Sequence, residues 1–95
     1  MDVHRNESRH RFEVVTDTGT AVLEYSEPRP GVLDLQHTAV PRAARGRGVA
    51  GALVRGALDD AREHGEKIIP TCPFVASWLG RHPEYRDLVA SARAG

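Results

Sequence analysis

Three short segments carry residue types whose spacing could do chemistry. Cys72 is the single cysteine of this 95-residue chain and stands directly before Pro73. Proline is favoured at the first position of a helix, so Cys72 falls at an N-cap position. There the helix dipole and unpaired N–H groups favour the thiolate, the form in which cysteine acts as a nucleophile. The plainer reading is a small apolar side chain filling core space. His37 lies in residues 32–40 (VLDLQHTAV), sharing alternate positions with Leu33, Leu35 and Ala39. Imidazole titrates near neutrality, so His37 is a candidate general base toward an amine or toward Cys72. The plainer reading is a sheet histidine whose ring has a hydrogen-bond partner. Arg45-Gly46-Arg47-Gly48 precedes a stretch of helical periodicity. Glycines let the backbone approach an anion closely, and a helix N-terminus offers free N–H groups to it. Arg42, Arg45 and Arg47 bring positive charge, and the plainer reading is a tight turn with solvated arginines.

The elements that must position these groups are legible from periodicity and breakers. Residues 11–16 (RFEVVT) and 20–25 (TAVLEY) read as strands joined by the turn Asp17-Thr18-Gly19. Pro28-Arg29-Pro30-Gly31 is a second turn, residues 32–40 a third strand, and Pro41 its stop. Residues 49–64 place Ala50, Leu53, Val54, Ala57, Leu58 and Ala61 at helical spacing, with Gly65 suited to the cap. Gly51 and Gly56 weaken that helix and permit close packing on it. Residues 67–72 (KIIPTC) form a short fourth strand. Pro70 cannot donate to a ladder, so the strand is an edge or diverges there. Residues 74–81 and 84–92 read as two short helices separated by His82-Pro83, and residues 1–9 and 91–95 as frayed ends. The expected class is α/β (α+β). A mixed sheet has three antiparallel strands and a parallel fourth that splays, with one main helix and two short C-terminal ones. The whole is a single domain with its core at about residues 11–90.

Composition narrows the partners. Lys+Arg and Asp+Glu number 13 each, so the formal net charge is +0. With 5% aromatic residues as well, the arginines alone make a poor case for a nucleic-acid binder. One cysteine excludes both an internal disulfide and a zinc site built on cysteine pairs. The 5 histidines show no ligand-like pairing, so no metal is expected. No apolar run approaches a membrane span, and the polar first residues do not read as a signal peptide. The expected compartment is the cytoplasm, with Cys72 reduced, and the expected state a monomer or homodimer.

Arg45-x-x-Gly48-x-Ala50 matches the pyrophosphate motif, Gln/Arg-x-x-Gly-x-Gly/Ala, of the GNAT superfamily of N-acetyltransferases. Together with Leu35-Gln36-His37-Thr38-Ala39-Val40-Pro41, Cys72-Pro73-Phe74 and His82-Pro83-Glu84-Tyr85, the chain resembles the very small single-domain members of that superfamily over residues 12–89. The resemblance implies a compact GNAT-like fold and acetyl-CoA, or coenzyme A, bound where the third and fourth strands splay. Backbone groups of Thr38, Ala39 and Val40 would face the pantetheine arm. Those of Arg45, Gly46, Arg47, Gly48, Val49 and Ala50 would hold the pyrophosphate. Phe74 and Trp78 would be core or a wall of the channel. Cys72 would lie near the acyl end, as a nucleophile that carries the acetyl group or as the partner of a mixed disulfide with CoA. Tyr85 would protonate the departing thiolate, as a tyrosine does in many members, or simply pack. Larger members carry two helices between their first two strands that help form the acceptor site, and this chain has only the Asp17–Thr20 turn there. The implied activity is acetyl transfer to an amine acceptor, a small molecule or a protein. The alternative is a non-catalytic CoA-binding module that acts through a partner.

Overall fold

The computed structural model describes residues 1–90. Arg11–Thr16 (β2) and Gly19–Arg29 (β3) form the expected hairpin about a two-residue turn, Thr16 opposite Gly19. Their alternation buries Phe12, Val14, Ala21, Leu23 and Tyr25 on one face. Val32–Ala39 (β4) runs antiparallel to β3, and Lys67–Ile69 (β5) runs parallel to β4. The long helix Val49–Glu63 (α1) makes the crossover between them. It turns Leu53, Val54, Ala57, Leu58 and Ala61 into a core shared with the sheet. Gly65 takes the left-handed conformation (φ 66°) just past its C-cap, His64. A second helix, Pro73–Arg81 (α2), buries Val75, Trp78 and Leu79 in the same core. Among the described residues, Val32 at the start of β4 is the only one buried on the other face of β2, β3 and β4. The sheet is therefore covered on one side and open on the other.

The sheet has a fifth strand that the frayed-terminus expectation missed. His4–Asn6 (β1) pairs antiparallel with β2. What holds it is Arg5, whose guanidinium donates to Tyr25 Oη at 3.1 Å, Asp60 Oδ2 at 3.1 Å and Glu66 Oε1 at 2.9 Å. It also lies over the rings of Phe12 and Tyr25. Two of these partners are 55 and 61 residues away in sequence, so local composition carries no trace of them. Val3 packs on α1 where Gly56 has no side chain; a Cβ at Gly56 would come within 2.6 Å of the Cβ of Val3.

The last expected helix is also different. Residues 83–88 form tight 3₁₀ turns, and Val89 is extended. Ala90 N donates to Ile68 O at 2.8 Å, so the chain adds to the open edge of β5 instead of continuing a helix. An unpaired strand edge is a strong attractor for a passing backbone. The expected frayed end at residues 91–95, and the end of the expected helix, lie outside the described residues.

Two irregularities shape the outer edge of β4. Glu24 is opposite His37 but Tyr25 is opposite Leu35, so β4 carries one extra residue, a β-bulge, at Gln36. A bulge shifts the alternation by one. Thr38 therefore shares the covered face with Leu23, while His37 and Ala39 join Glu24 and Val22 on the open face. The expectation that His37 and Ala39 continue the face of Leu33 and Leu35 is overturned. The second irregularity is the early end of β5. Its pairing with β4 stops at Asp34–Ile69, directly before Pro70.

Candidate active site

Beyond Asp34 the edge of β4 is free of β5, apart from a single bond from Cys72 N to Leu35 O at 2.8 Å. Pro70, which has no N–H, and Thr71, whose N–H turns back to Ile69 O, supply no ladder donors there. The splay expected from the proline is thus present. Two contiguous depressions of about 250 Å³ and 360 Å³ lie along it and share Val40, Arg45, Ala50 and Phe74. One extends over His37, Thr38 and Ala39, the other over Gly46, Gly48 and Val49. They form a groove from the free edge of β4 to the N-terminus of α1.

The α1 end is built to leave backbone donors open. Arg42–Ala44 makes one 3₁₀ turn, and Gly46 and Gly48 follow with φ of 80° and 76°. L-residues reach that left-handed region only at a cost, which is why glycine stands at both. A Cβ at either would meet nothing within 4 Å, so the space above them is empty. Gly48 is the N-cap and supplies no side-chain acceptor, and no acidic residue lies in the first turn. The first N–H groups of α1 and its positive dipole end therefore face the groove uncompensated. Arg45 borders the groove, with Nε donating to Val40 O at 3.3 Å. Arg47 does not line it. Its Nη1 contacts Asp17 Oδ1 at 3.3 Å on the exposed turn between β2 and β3. Ala44 and Gly51 line the groove too, and nothing in their local sequence distinguishes them from packing residues.

Behind the other end, Cys72 is the N-cap of α2 with Pro73 in the first turn, as the sequence predicts; it does not line the groove and reaches it through Thr38, which does. Cys72 is 4% exposed, and its Sγ lies 3.5 Å from Thr38 Oγ1. Burial pushes the thiol up. The Thr38 hydroxyl and the N–H groups of Val75, Phe74 and Thr38 outweigh it, so the net shift is downward, toward thiolate. The N–H groups of α2 act from beyond a full capping bond, since the sulfur makes none. The bulge decides which side chain of β4 meets this sulfur: Thr38, not His37.

Tyr85 sits away from the groove. Its hydroxyl donates to Asp59 Oδ1 at 2.7 Å and accepts from Arg55 at 3.2 Å. Its ring packs on Trp78, which also stacks on His82 and lies under Arg55. Burial and the bond to Asp59 raise its pKa. Tyr85 thus ties the C-terminal turns to α1. Asp60, His64 and Glu66 come together as a group that could hold a cation. Arg5 already bonds both carboxylates, and His64 Nδ1 lies 2.8 Å from Asp60 O.

A covered mixed sheet, two strands that part, and a glycine-shaped helix start at the far end of the gap define the class of fold to which coenzyme-dependent acyltransferases belong. The family model for GCN5-related N-acetyltransferases matches residues 11–88, and the chain belongs to that family. Protein NATD1 of Gallus gallus is 35% identical over 85 residues, which cover 87% of this chain and 77% of that protein. The Danio rerio protein of the same name is 32% identical over 93 residues, covering 94% and 84%. A GCN5-like protein from Staphylococcus aureus, solved by NMR in solution, superposes with a TM-score of 0.67 at 22% identity, covering 98% of this chain and 91% of the other. At that identity the likeness speaks for the fold. The expected GNAT-like class is correct, with five strands in the sheet where four were expected. No helix among the described residues is long and apolar enough to cross a membrane.

Proposed function

We propose that the chain is an acetyl-CoA-dependent N-acetyltransferase that works at the free edge of β4. One observation carries the reading. The groove runs from an uncompensated helix N-terminus with left-handed glycines to Thr38, which lines it and lies 3.5 Å from the Cys72 thiol, itself shifted toward thiolate. Acetyl-CoA supplies the acyl group as an activated thioester. The unpaired backbone of Thr38, Ala39 and Val40 offers hydrogen bonds to the amide arm. The N–H groups of Gly46 to Ala50 and the guanidinium of Arg45 suit the pyrophosphate, and Phe74 walls the groove. Cys72 takes the acetyl group: the Sγ–carbon bond forms as the carbon–sulfur bond of the thioester breaks and the CoA thiolate leaves. His37 receives one proton of the acceptor ammonium, and the freed amine forms the N–C bond as the Sγ–carbon bond breaks, its second proton going to the departing Cys72 thiolate. Cys72 addresses the gap from the covered face of the sheet and His37 from the open one.

Thermal unfolding with and without acetyl-CoA is the first test. Ligand at about 100 times Kd stabilises a fold by roughly 2.7 kcal/mol. At about 4–8 °C per kcal/mol for a domain of this size, the midpoint should rise by well over 5 °C. No rise at millimolar acetyl-CoA would end the reading. Intact mass after incubation should show one added acetyl group in the wild type and none in Cys72→Ser. An activity that survives Cys72→Ser, with no acetyl-enzyme in the wild type, would leave direct attack by the amine. The two-residue turn between β2 and β3 favours a second reading. Nothing from that turn walls an acceptor, so the chain would bind CoA and act through a partner. Firm binding of acetyl-CoA without transfer to any amine would select it.

A further inference from the structure

We propose that Glu24 is a positioning residue for His37, and that the two side chains form the acceptor side of the site on the open face of the sheet. The inference rests on the acetyltransferase reading. The bulge at Gln36 brings Glu24 directly opposite His37 in the register of β3 and β4. Side chains so placed have Cβ atoms about 5 Å apart, within easy reach of a carboxylate and an imidazole. Both residues are exposed, and His37 lines the groove at the edge that β5 has left. On its other side Glu24 is opposite Arg11 of β2. Arg11 is already committed, its Nε donating to Glu13 Oε2 at 2.6 Å. Glu24 forms no ion pair among the described residues, His37 included, so the pairing is one that the two exposed side chains reach by rotation about their χ angles. It stands as an unspent carboxylate between a paired arginine and the candidate base.

The chemistry comes from that placement. A carboxylate that accepts one imidazole N–H fixes which ring nitrogen carries the proton and leaves the lone pair of the other free. That second nitrogen takes a proton from the acceptor ammonium. The amine lone pair then forms the N–C bond to the acetyl carbon while the carbon–sulfur bond breaks. The sulfur leaves with the bonding pair and takes the second proton, which the nitrogen sheds on becoming an amide, while the proton held by His37 passes to solvent. The charge of Glu24 also attracts an acceptor that arrives as a cation.

The test uses the full chain, acetyl-CoA and a short lysine peptide. Glu24→Ala should change the tautomer ratio of the His37 ring, read from its ¹⁵N shifts. It should lower kcat about tenfold without changing the KM for acetyl-CoA. His37→Gln should lower kcat about a hundredfold, within the usual range for a general base. The double variant should be no worse than His37→Gln alone, because a positioning residue acts only through its partner. An unchanged tautomer ratio in Glu24→Ala overturns the pairing whatever happens to activity. Multiplying losses in the double variant overturn it as well. A changed ratio with full activity in His37→Gln keeps the pairing and removes its catalytic part. Absence of transfer by the wild type removes the acetyltransferase reading and the acceptor assignment together, and the tautomer ratio still decides the pairing.

Discussion

Replacing Gly48 by alanine separates the demand of the fold from the demand of the ligand. Gly48 has a φ of 76°, and a Cβ there meets nothing within 4 Å. The left-handed conformation costs an L-residue about 1–2 kcal/mol. No contact adds to that cost or relieves it, so Gly48→Ala should lose about that much stability. The unfolding midpoint should fall by about 4–8 °C for each kcal/mol. Gly31 is a matched control. Its φ is 82°, a Cβ there also meets nothing within 4 Å, and it lies in the turn between β3 and β4, outside the groove. Gly31→Ala should therefore cost the same. The two variants part when acetyl-CoA is added. In Gly48→Ala the new methyl occupies the space above the helix start, and losing one charge-assisted hydrogen bond there costs about 1.5 kcal/mol. That is roughly tenfold in Kd. At a ligand concentration that stabilises the wild type by about 2.7 kcal/mol, the variant should gain only about 1.4 kcal/mol. Gly31→Ala should gain as much as the wild type. Scanning calorimetry at several ligand concentrations measures both effects. Equal ligand-induced shifts in the two variants would refute the placement of the phosphates at α1. Unaltered midpoints without ligand would refute the strain argument itself.

Thr38→Val removes the hydroxyl that lies 3.5 Å from Cys72 Sγ and keeps the shape of the side chain. Burial then acts with less opposition, the thiol shifts upward, and alkylation by iodoacetamide at neutral pH should slow about fivefold, the worth of a hydrogen bond of about 1 kcal/mol; an unchanged rate would show that the α2 N–H groups alone set the thiolate. Tyr85→Phe should lower stability by about 1 kcal/mol, because Asp59 and Arg55 lose their shared partner, and should leave acetyl transfer unchanged. A collapse of kcat in that variant would make Tyr85 the acid after all. His64 is held above its ordinary pKa by the backbone bond and charge of Asp60. A raised histidine stabilises the fold fully below its unfolded pKa of about 6.5, and this contribution is lost as pH rises through the folded value. Unfolding midpoints of the wild type should therefore fall relative to those of His64→Gln as pH rises from about 6 toward 8; parallel curves would remove His64 from the balance.

Much of the architecture was legible because its causes are local. Alternation in residues 11–25 and helical spacing from Val49 to Ala61 need only near neighbours, and each gave the element found. The splay at Pro70 and the N-cap place of Cys72 were legible for the same reason, since a missing N–H and a helix-opening proline act where they stand. Gly46 and Gly48 were legible as points of close backbone approach, while their left-handed φ came only with the structure. What sequence periodicity could not decide is which face of the sheet each residue of β4 takes. A single unpaired residue, Gln36, reverses the alternation, moving His37 away from Cys72 and bringing Thr38 to the sulfur. A bulge is a property of a strand pair and exists only once β3 and β4 have aligned. The same holds for β1, whose anchor Arg5 finds Tyr25, Asp60 and Glu66 across the fold, and for Val89 and Ala90, which run along the edge that β5 presents. Local sequence sets the elements and the chemistry they can carry. Long-range pairing, in which partners dozens of residues apart settle register and face together, decides which of those groups meet.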